Sequence, residues 1–118
     1  MVMSLYTEHV RAIGVAHLKR MMDEGEPFTL LDVRPRSDYD REHIKGARPL
    51  PLDEIENKAA STLKPEENII VYCDSFVCSA STSASKILGR MGYKNVRDYK
   101  GGIREWKQAN LPTESNYP

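Results

Sequence analysis

The chain has 118 residues, a length that can bury one hydrophobic core and is too short for two. Lysine and arginine number 17, as do aspartate and glutamate, so no net charge draws the chain to nucleic acid or to an anionic membrane. No segment approaches the roughly 20 apolar residues of a membrane span, and residues 1–10 lack the features of a leader peptide. We therefore expect residues 1–118 to form a single cytoplasmic domain with no nucleic-acid or membrane partner.

The two cysteines, Cys73 and Cys78, stand five positions apart. Two cysteines do not make a disulfide framework, and a metal site would need further ligands. The three histidines, His9, His17 and His43, lie far away in the sequence and follow no known ligand spacing. We predict neither a metal site nor a cofactor.

The first half of the chain contains patterns typical of both helices and strands. Residues 15–24 carry apolar side chains at helical spacing and are followed by Gly25 and Pro27, which predicts an amphipathic helix. The apolar run 28–33 predicts a buried strand that ends before Pro35. The remaining predictions are a short helix from an N-cap at Ser37 to Glu42, an extended segment over 46–51, and a helix over 54–62 capped by Asp53.

The second half continues the alternation of strands and helices. Residues 68–72 predict a central strand of a parallel sheet, and residues 81–91 predict a helix that Gly92 ends. The last predictions are a strand over 95–99, a turn at Gly101 and Gly102, a helix over 103–109 with Trp106 in the core, and a frayed polar tail over 112–118. Strands alternating with helices indicate an α/β domain with a mainly parallel sheet.

Cys73 directly follows the predicted central strand and precedes a loop and a helix. Ligands of open α/β sheets bind at the carboxyl ends of the strands, and a helix amino terminus stabilises an anion. These surroundings can lower a cysteine pKa from about 8.5 and create a nucleophilic thiolate. The alternative is that Cys73 is a buried apolar residue at a strand end, and the residues alone do not separate the two interpretations.

The segment after Cys73 is the candidate substrate-binding loop. Several of its side chains are small or carry hydroxyl groups, so its backbone amides can converge on a bound anion. The loop residues are Asp74, Ser75, Phe76, Val77, Cys78, Ser79, Ala80 and Ser81.

Three separated motifs resemble the signatures of the rhodanese family, over about residues 13–112. The first is Leu30-Leu-Asp-Val-Arg34 with Tyr39, His43-Ile44 and Gly46-Ala47. The second is Val71-Tyr72-Cys73 leading to Gly92-Tyr93, and the third is Tyr99-Lys-Gly-Gly-Ile103 with Trp106.

The resemblance implies a three-layer sandwich, in which about five mainly parallel strands are flanked by helices on both faces. It also implies that Cys73 accepts a sulfane sulfur as a persulfide, from a donor such as thiosulfate or a persulfide, and passes it to a thiol or protein acceptor. Asp32 and Arg34 match a family pair that we interpret as structural, because charge-assisted hydrogen bonds can tie neighbouring loops together. His43 matches a framework position.

The loop departs from the family pattern in two ways. It is longer than in most single-domain members, and residues 74–85 contain no lysine or arginine. One alternative is therefore a non-catalytic binding or regulatory module. A cysteine-dependent phosphatase or arsenate reductase is less favoured, because those relatives grip an oxyanion with an arginine.

Cys78 has three interpretations that stay open. It resolves an adduct on Cys73 by forming a disulfide, it fills space under the loop, or it is itself the reactive thiol. Lys86 either reaches the pocket mouth or lies on a solvated helix face. Phe76 and Val77 either line a partner surface or pack against a neighbouring loop.

Overall fold

The computed structural model describes residues 10–117. Residues 1–9 and Pro118 lie outside the described residues. His9 is among them, as is most of the segment 1–10 discussed above. No helix within the described part of the chain is long and apolar enough to cross a membrane.

A five-stranded sheet forms the centre of the fold, and all of its neighbouring strands are parallel. A separate antiparallel pair joins two short strands. The strands are β1 (Arg11–Ala12), β2 (Thr29–Asp32), β3 (His43–Ile44), β4 (Arg48–Pro49), β5 (Ile69–Tyr72), β6 (Val96–Tyr99) and β7 (Thr113–Glu114). The sheet order is β1-β6-β5-β2-β4, and β3 pairs with β7.

Helices cover both faces of this sheet. They are α1 (Val15–Asp23), α2 (Arg36–Arg41), α3 (Ile55–Thr62), α4 (Ala80–Arg90) and α5 (Gly102–Gln108), and a 3-10 turn at Leu52–Glu54 precedes α3. The predicted α/β fold with a parallel sheet flanked by helices is confirmed.

Alternating side chains along β5 divide the core into two clusters. Ile69 and Val71 pack with residues of α3 and α4, whereas Ile70 and Tyr72 pack with residues of α1 and α5. This alternation is the two-residue period of a strand that is buried on both faces. Cys73 continues the period and lies in the α3 and α4 cluster.

Two predicted helix caps are wrong. Helix α2 begins at Arg36 after Pro35, so Ser37 lies inside the helix rather than at its N-cap. Proline fixes φ near the helical value and stands before the first turn, where its missing N–H costs nothing. Asp53 lies within the 3-10 turn, and no side chain caps α3.

The carboxyl-terminal segment is ordered, which corrects the prediction of a frayed tail. Strand β7 pairs with β3, with Ile44 opposite Thr113. Further along, Asn116 donates its side-chain amide to Asp40 Oδ1 at 2.6 Å and its backbone N–H to Asp40 O at 2.9 Å. Backbone pairing and these polar contacts hold the segment in place. Because the segment contains no hydrophobic run, its sequence pattern does not reveal this order.

Candidate functional site

Cys73 lies at the carboxyl edge of the sheet, one residue beyond the end of the central strand β5. Its neighbours across the sheet are set by the register, because Tyr72 pairs with Asp32 on one side and with Tyr99 on the other. The first residues after these three strands are Val33, Cys73 and Lys100. Cys73 is only 1% exposed.

The backbone after Cys73 is anchored by the amino-terminal turn of α5. Ile103 N–H donates to Cys73 O at 3.1 Å, and Arg104 N–H donates to Asp74 O at 2.9 Å. Gly102 makes this approach possible, because a Cβ atom at that position would lie 2.6 Å from Cys73 O. The φ of Gly102 is also positive, at 65°, a conformation that favours glycine.

Residues 74–79 connect Cys73 to α4, and we call this segment the Cys73 loop. The predicted loop residues Ala80 and Ser81 belong to the first turn of α4 instead. Phe76 and Val77 form an exposed apolar tip, 61% and 92% accessible respectively. The alternative that they pack against a neighbouring loop is therefore wrong.

The structure joins Cys78 to Cys73 by a disulfide bond, with the two Cα atoms 6.5 Å apart. The Cys78 N–H donates to Ser75 O at 3.0 Å and closes a turn within the loop. That amide is therefore occupied inside the loop rather than directed at the Cys73 sulfur. Cys78 is also partly buried against the α3 and α4 cluster.

Lys100 brings a cation to the loop that the sequence analysis missed. Its Nζ donates to Cys78 O at 3.2 Å and to Thr82 Oγ1 at 3.1 Å. Thr82 in turn donates to the buried carboxylate of Asp98 at 2.9 Å. Residues 74–85 contain no basic side chain, but parallel pairing of β5 with β6 places the residue after β6 beside the residue after β5. That topology was the available signal.

Buried Asp32 and half-buried Arg34 form a framework, as predicted from the sequence. Arg34 Nε and Nη2 donate to the Asp32 carboxylate at 3.0 and 2.8 Å, and Nη2 also donates to Glu42 O at 2.6 Å. Burial alone would lower the pKa of Arg34, but the hydrogen bonds and charge of Asp32 outweigh it, so the pKa is raised. This guanidinium is committed to its own carboxylate.

Tyr72 extends the same framework into the core. Its hydroxyl donates to Asp32 Oδ2 at 2.6 Å and accepts from Ile44 N–H at 3.1 Å. Burial, followed by the negative charge of Asp32, raises the pKa of Tyr72 well above its ordinary value. The hydroxyl therefore stays protonated and serves as a fixed donor.

His43 also belongs to the framework. It is buried in β3, its Nδ1 lies 2.6 Å from Tyr39 O, and its ring stacks on Tyr39 at 3.8 Å between centroids. Its Nε2 lies 3.8 Å from Glu114 Oε1 in the paired strand. These contacts join α2, β3 and β7, and none of them involves the Cys73 loop.

A cleft of about 950 Å³ opens beside the loop. Cys78 and Asp74 line it together with Arg34, Leu52 and Ile87, whereas Cys73 is not among its lining residues. Lys86 is likewise absent from the lining, and its neighbour Ile87 faces the cleft instead. The described residues contain no cluster of three or more side chains that could hold a metal ion.

Comparison with known proteins identifies the family. Residues 15–109 match the family model of the rhodanese-like domain. The solution structure of the rhodanese-like domain of the Alr3790 protein from Anabaena superposes with a TM-score of 0.82, at 34% identity, over 91% of this chain and 80% of that one. The chain belongs to the rhodanese family.

Two curated relatives with different names are similar to this chain. The HTH-type transcriptional regulator Rv0324 of Mycobacterium tuberculosis is 35% identical over 107 residues, covering 91% of this chain. The chain spans only 46% of the length of that regulator. Thiosulfate sulfurtransferase PspE of Escherichia coli is 35% identical over 77 residues, which cover 64% of this chain and 70% of PspE.

Proposed function

We propose that the chain is a sulfurtransferase in which Cys73 carries the transferred sulfur. The observation that carries this proposal is the position of Cys73 at the carboxyl end of β5, ahead of a loop and helix α4, in a member of the rhodanese family. Because Cys73 is bonded to Cys78, the nucleophile forms only when that disulfide is reduced. The substrate-binding segment is the predicted one, Asp74 to Ser81.

The transfer begins when the Cys73 thiolate attacks the sulfane sulfur of a donor such as thiosulfate. The bond between the two donor sulfurs breaks, sulfite leaves with the electron pair, and an anionic persulfide remains on Cys73. A thiol or protein acceptor then removes the outer sulfur. The amino-terminal turn of α4 and the ammonium group of Lys100 favour negative charge at the loop.

Intact-mass spectrometry of the reduced protein tests this proposal. After incubation with thiosulfate or a small persulfide donor, the protein should gain the mass of one sulfur atom or, if Cys78 intervenes, lose two hydrogens. Cys78→Ser should show the gain alone, and Cys73→Ser should show neither change. Absence of any added sulfur in Cys78→Ser with every donor would reject sulfur transfer through Cys73.

A non-catalytic regulatory module is the second candidate. The burial of Cys73, the absence of basic residues from the loop, and the match to part of a transcriptional regulator favour it. The two candidates differ in the thiol pKa of the reduced protein. In a sulfurtransferase, the pH dependence of Cys73 alkylation should give a thiol pKa below about 8.5. In a module with no nucleophile, the Cys73 thiol should show the ordinary cysteine pKa of about 8.5.

Phosphatase and arsenate-reductase activities are less favoured. They need an arginine to bind a tetrahedral oxyanion with two parallel hydrogen bonds. The loop contains none, and Arg34 is committed to Asp32. The use of thiosulfate, the organisation of 1–118 as a single domain and a cytoplasmic location remain part of the proposal.

A further inference from the structure

The disulfide places Cys78 where it can act on an adduct of Cys73. The Cα separation of 6.5 Å lies within the range that a disulfide spans without movement of the backbone. The residues between the two cysteines form a closed turn, with Cys78 N–H bonded to Ser75 O. The loop therefore holds the two sulfur atoms within bonding reach.

The two cysteines differ in their access to solvent. Cys73 is 1% exposed and absent from the cleft, whereas Cys78 is half-buried and lines the cleft of about 950 Å³. In the disulfide-bonded form, a thiol that enters the cleft can therefore reach Cys78 and not Cys73. Thiol–disulfide exchange depends on which sulfur is accessible, so this difference gives the exchange a direction.

We propose that Cys78 is a resolving thiol that releases the transferred sulfur as sulfide. The inference rests on the proposed function, because it requires a persulfide on Cys73. It adds an activity to that function: the chain would reduce a sulfane sulfur to sulfide at the expense of a small dithiol, in addition to passing the sulfur to an acceptor.

The resolving step balances without an additional reagent. The Cys78 sulfur attacks the inner sulfur of the anionic Cys73 persulfide and forms the Cys73–Cys78 disulfide. The bond from the inner to the outer sulfur breaks, and the outer sulfur leaves with the electron pair as hydrosulfide, taking the Cys78 thiol proton. The outer sulfur is reduced, and the two cysteines are oxidised.

A dithiol then returns the protein to its reduced form. One dithiol sulfur attacks Cys78 from the cleft, which gives a mixed disulfide on Cys78 and frees the Cys73 thiolate. The second dithiol sulfur displaces Cys78 and closes the oxidised dithiol. Over one cycle, thiosulfate and the dithiol become sulfite, hydrogen sulfide and the cyclic disulfide.

The test uses the full chain, reduced with dithiothreitol, freed of reductant and mixed with excess thiosulfate. The wild-type protein should release one equivalent of sulfide per chain and lose two hydrogens as the disulfide forms. Cys78→Ser and Cys78→Ala should release no sulfide and should retain an added sulfur on Cys73. When dithiothreitol is restored, sulfide release should become catalytic in the wild type and fall at least about tenfold in both variants, a loss of about 1.4 kcal/mol of transition-state stabilisation.

Two outcomes would overturn the inference, and they differ in what they say of sulfur transfer. If the wild type keeps the added sulfur as long as Cys78→Ser does and releases no sulfide, Cys78 does not resolve the persulfide, while sulfur transfer stands. If neither Cys78 variant acquires a sulfur while both fold with wild-type unfolding midpoints, the proposed function fails and the inference fails with it.

Discussion

Lys100 compensates at the residue level for the absence of basic side chains in the Cys73 loop. Its ammonium group bonds to Cys78 O in the loop and to Thr82 in the first turn of α4. A cation in this position holds the backbone carbonyl of Cys78 in place. It also lowers the free energy of an anion that forms nearby. We therefore interpret Lys100 as a positioning residue for the Cys73 thiolate.

Lys100→Met should lower kcat/KM for sulfur transfer about tenfold, the loss expected from a charge-assisted hydrogen bond. The same substitution should shift the pH profile of Cys73 alkylation to higher pH, because removal of a cation raises a thiol pKa. Lys100→Arg should keep the pH profile close to that of the wild type.

Lys94, an exposed lysine before the amino-terminal end of β6, provides the matched control. Lys94→Met should leave both the rate and the alkylation profile unchanged. An unshifted profile in Lys100→Met would show that Lys100 supports only the folded loop and has no effect on the thiolate.

The contact between α5 and the Cys73 loop is the critical junction between elements. Gly102 lets the first turn of α5 approach Cys73 and Asp74, and two backbone hydrogen bonds then fix the strand end. The sequence pattern at Gly101 and Gly102 predicts only a turn. The close approach is invisible in a linear pattern because it joins residues about thirty positions apart.

Gly102→Ala should destabilise the fold by about 1–3 kcal/mol, since it adds a Cβ against backbone atoms and forces alanine into a positive φ. Urea unfolding measures this loss, and sulfur transfer should fall with it. Gly89→Ala is the control, because Gly89 lies inside α4 with open space around it. That substitution should stabilise the protein by about 0.5–1 kcal/mol. Equal effects of the two substitutions would contradict the proposed junction.

Glu42, whose backbone carbonyl accepts from Arg34, links three elements. Its carboxylate accepts from Lys107 Nζ in α5 and from Thr113 Oγ1 in β7, each at 2.7 Å. These hydrogen bonds lower the pKa of Glu42 below its ordinary value, and the bond from Lys107 has the larger effect. The folded state therefore favours the ionised carboxylate. This stabilisation is present above the ordinary carboxyl pKa and is lost as pH falls through the lowered value.

Glu42→Gln should accordingly reduce the free energy of unfolding near neutral pH and should flatten its decline below about pH 4. Urea titrations across the acid range measure both effects. The exposed loop residue Glu66 serves for comparison, and Glu66→Gln should keep the wild-type acid dependence. A Glu42→Gln protein with the full wild-type decline in acid would show that its hydrogen bonds do not favour the ionised form.

At the scale of the whole molecule, the sequence predicted the parallel sheet because its central strands are continuous apolar runs. β2 and β5 are buried on both faces, and such runs bounded by proline or by the cysteine loop are recognisable from composition. The two-residue strands β1, β3 and β7 were missed. A strand of two residues is too short to show a periodic pattern. It is defined by its pairing with a strand that is distant in the sequence.

The candidate site was predictable to the same extent. The position of Cys73 follows from a local pattern, a strand that ends in cysteine before a loop and helix. The contributions of Lys100 and Gly102 depend on how strands and helices lie beside one another. The bond to Cys78 depends on the conformation of the loop, for which two cysteines five positions apart allow several geometries.

Single-turnover release of sulfite tests the central claim most directly, because sulfite leaves in the step that forms the Cys73 persulfide. The reduced wild type and Cys78→Ser, mixed rapidly with thiosulfate, should each release one equivalent of sulfite per chain in a first burst. Cys73→Ser and the oxidised, disulfide-bonded wild type should release none. A burst of equal size from Cys73→Ser would show that Cys73 is not the residue that accepts the sulfur.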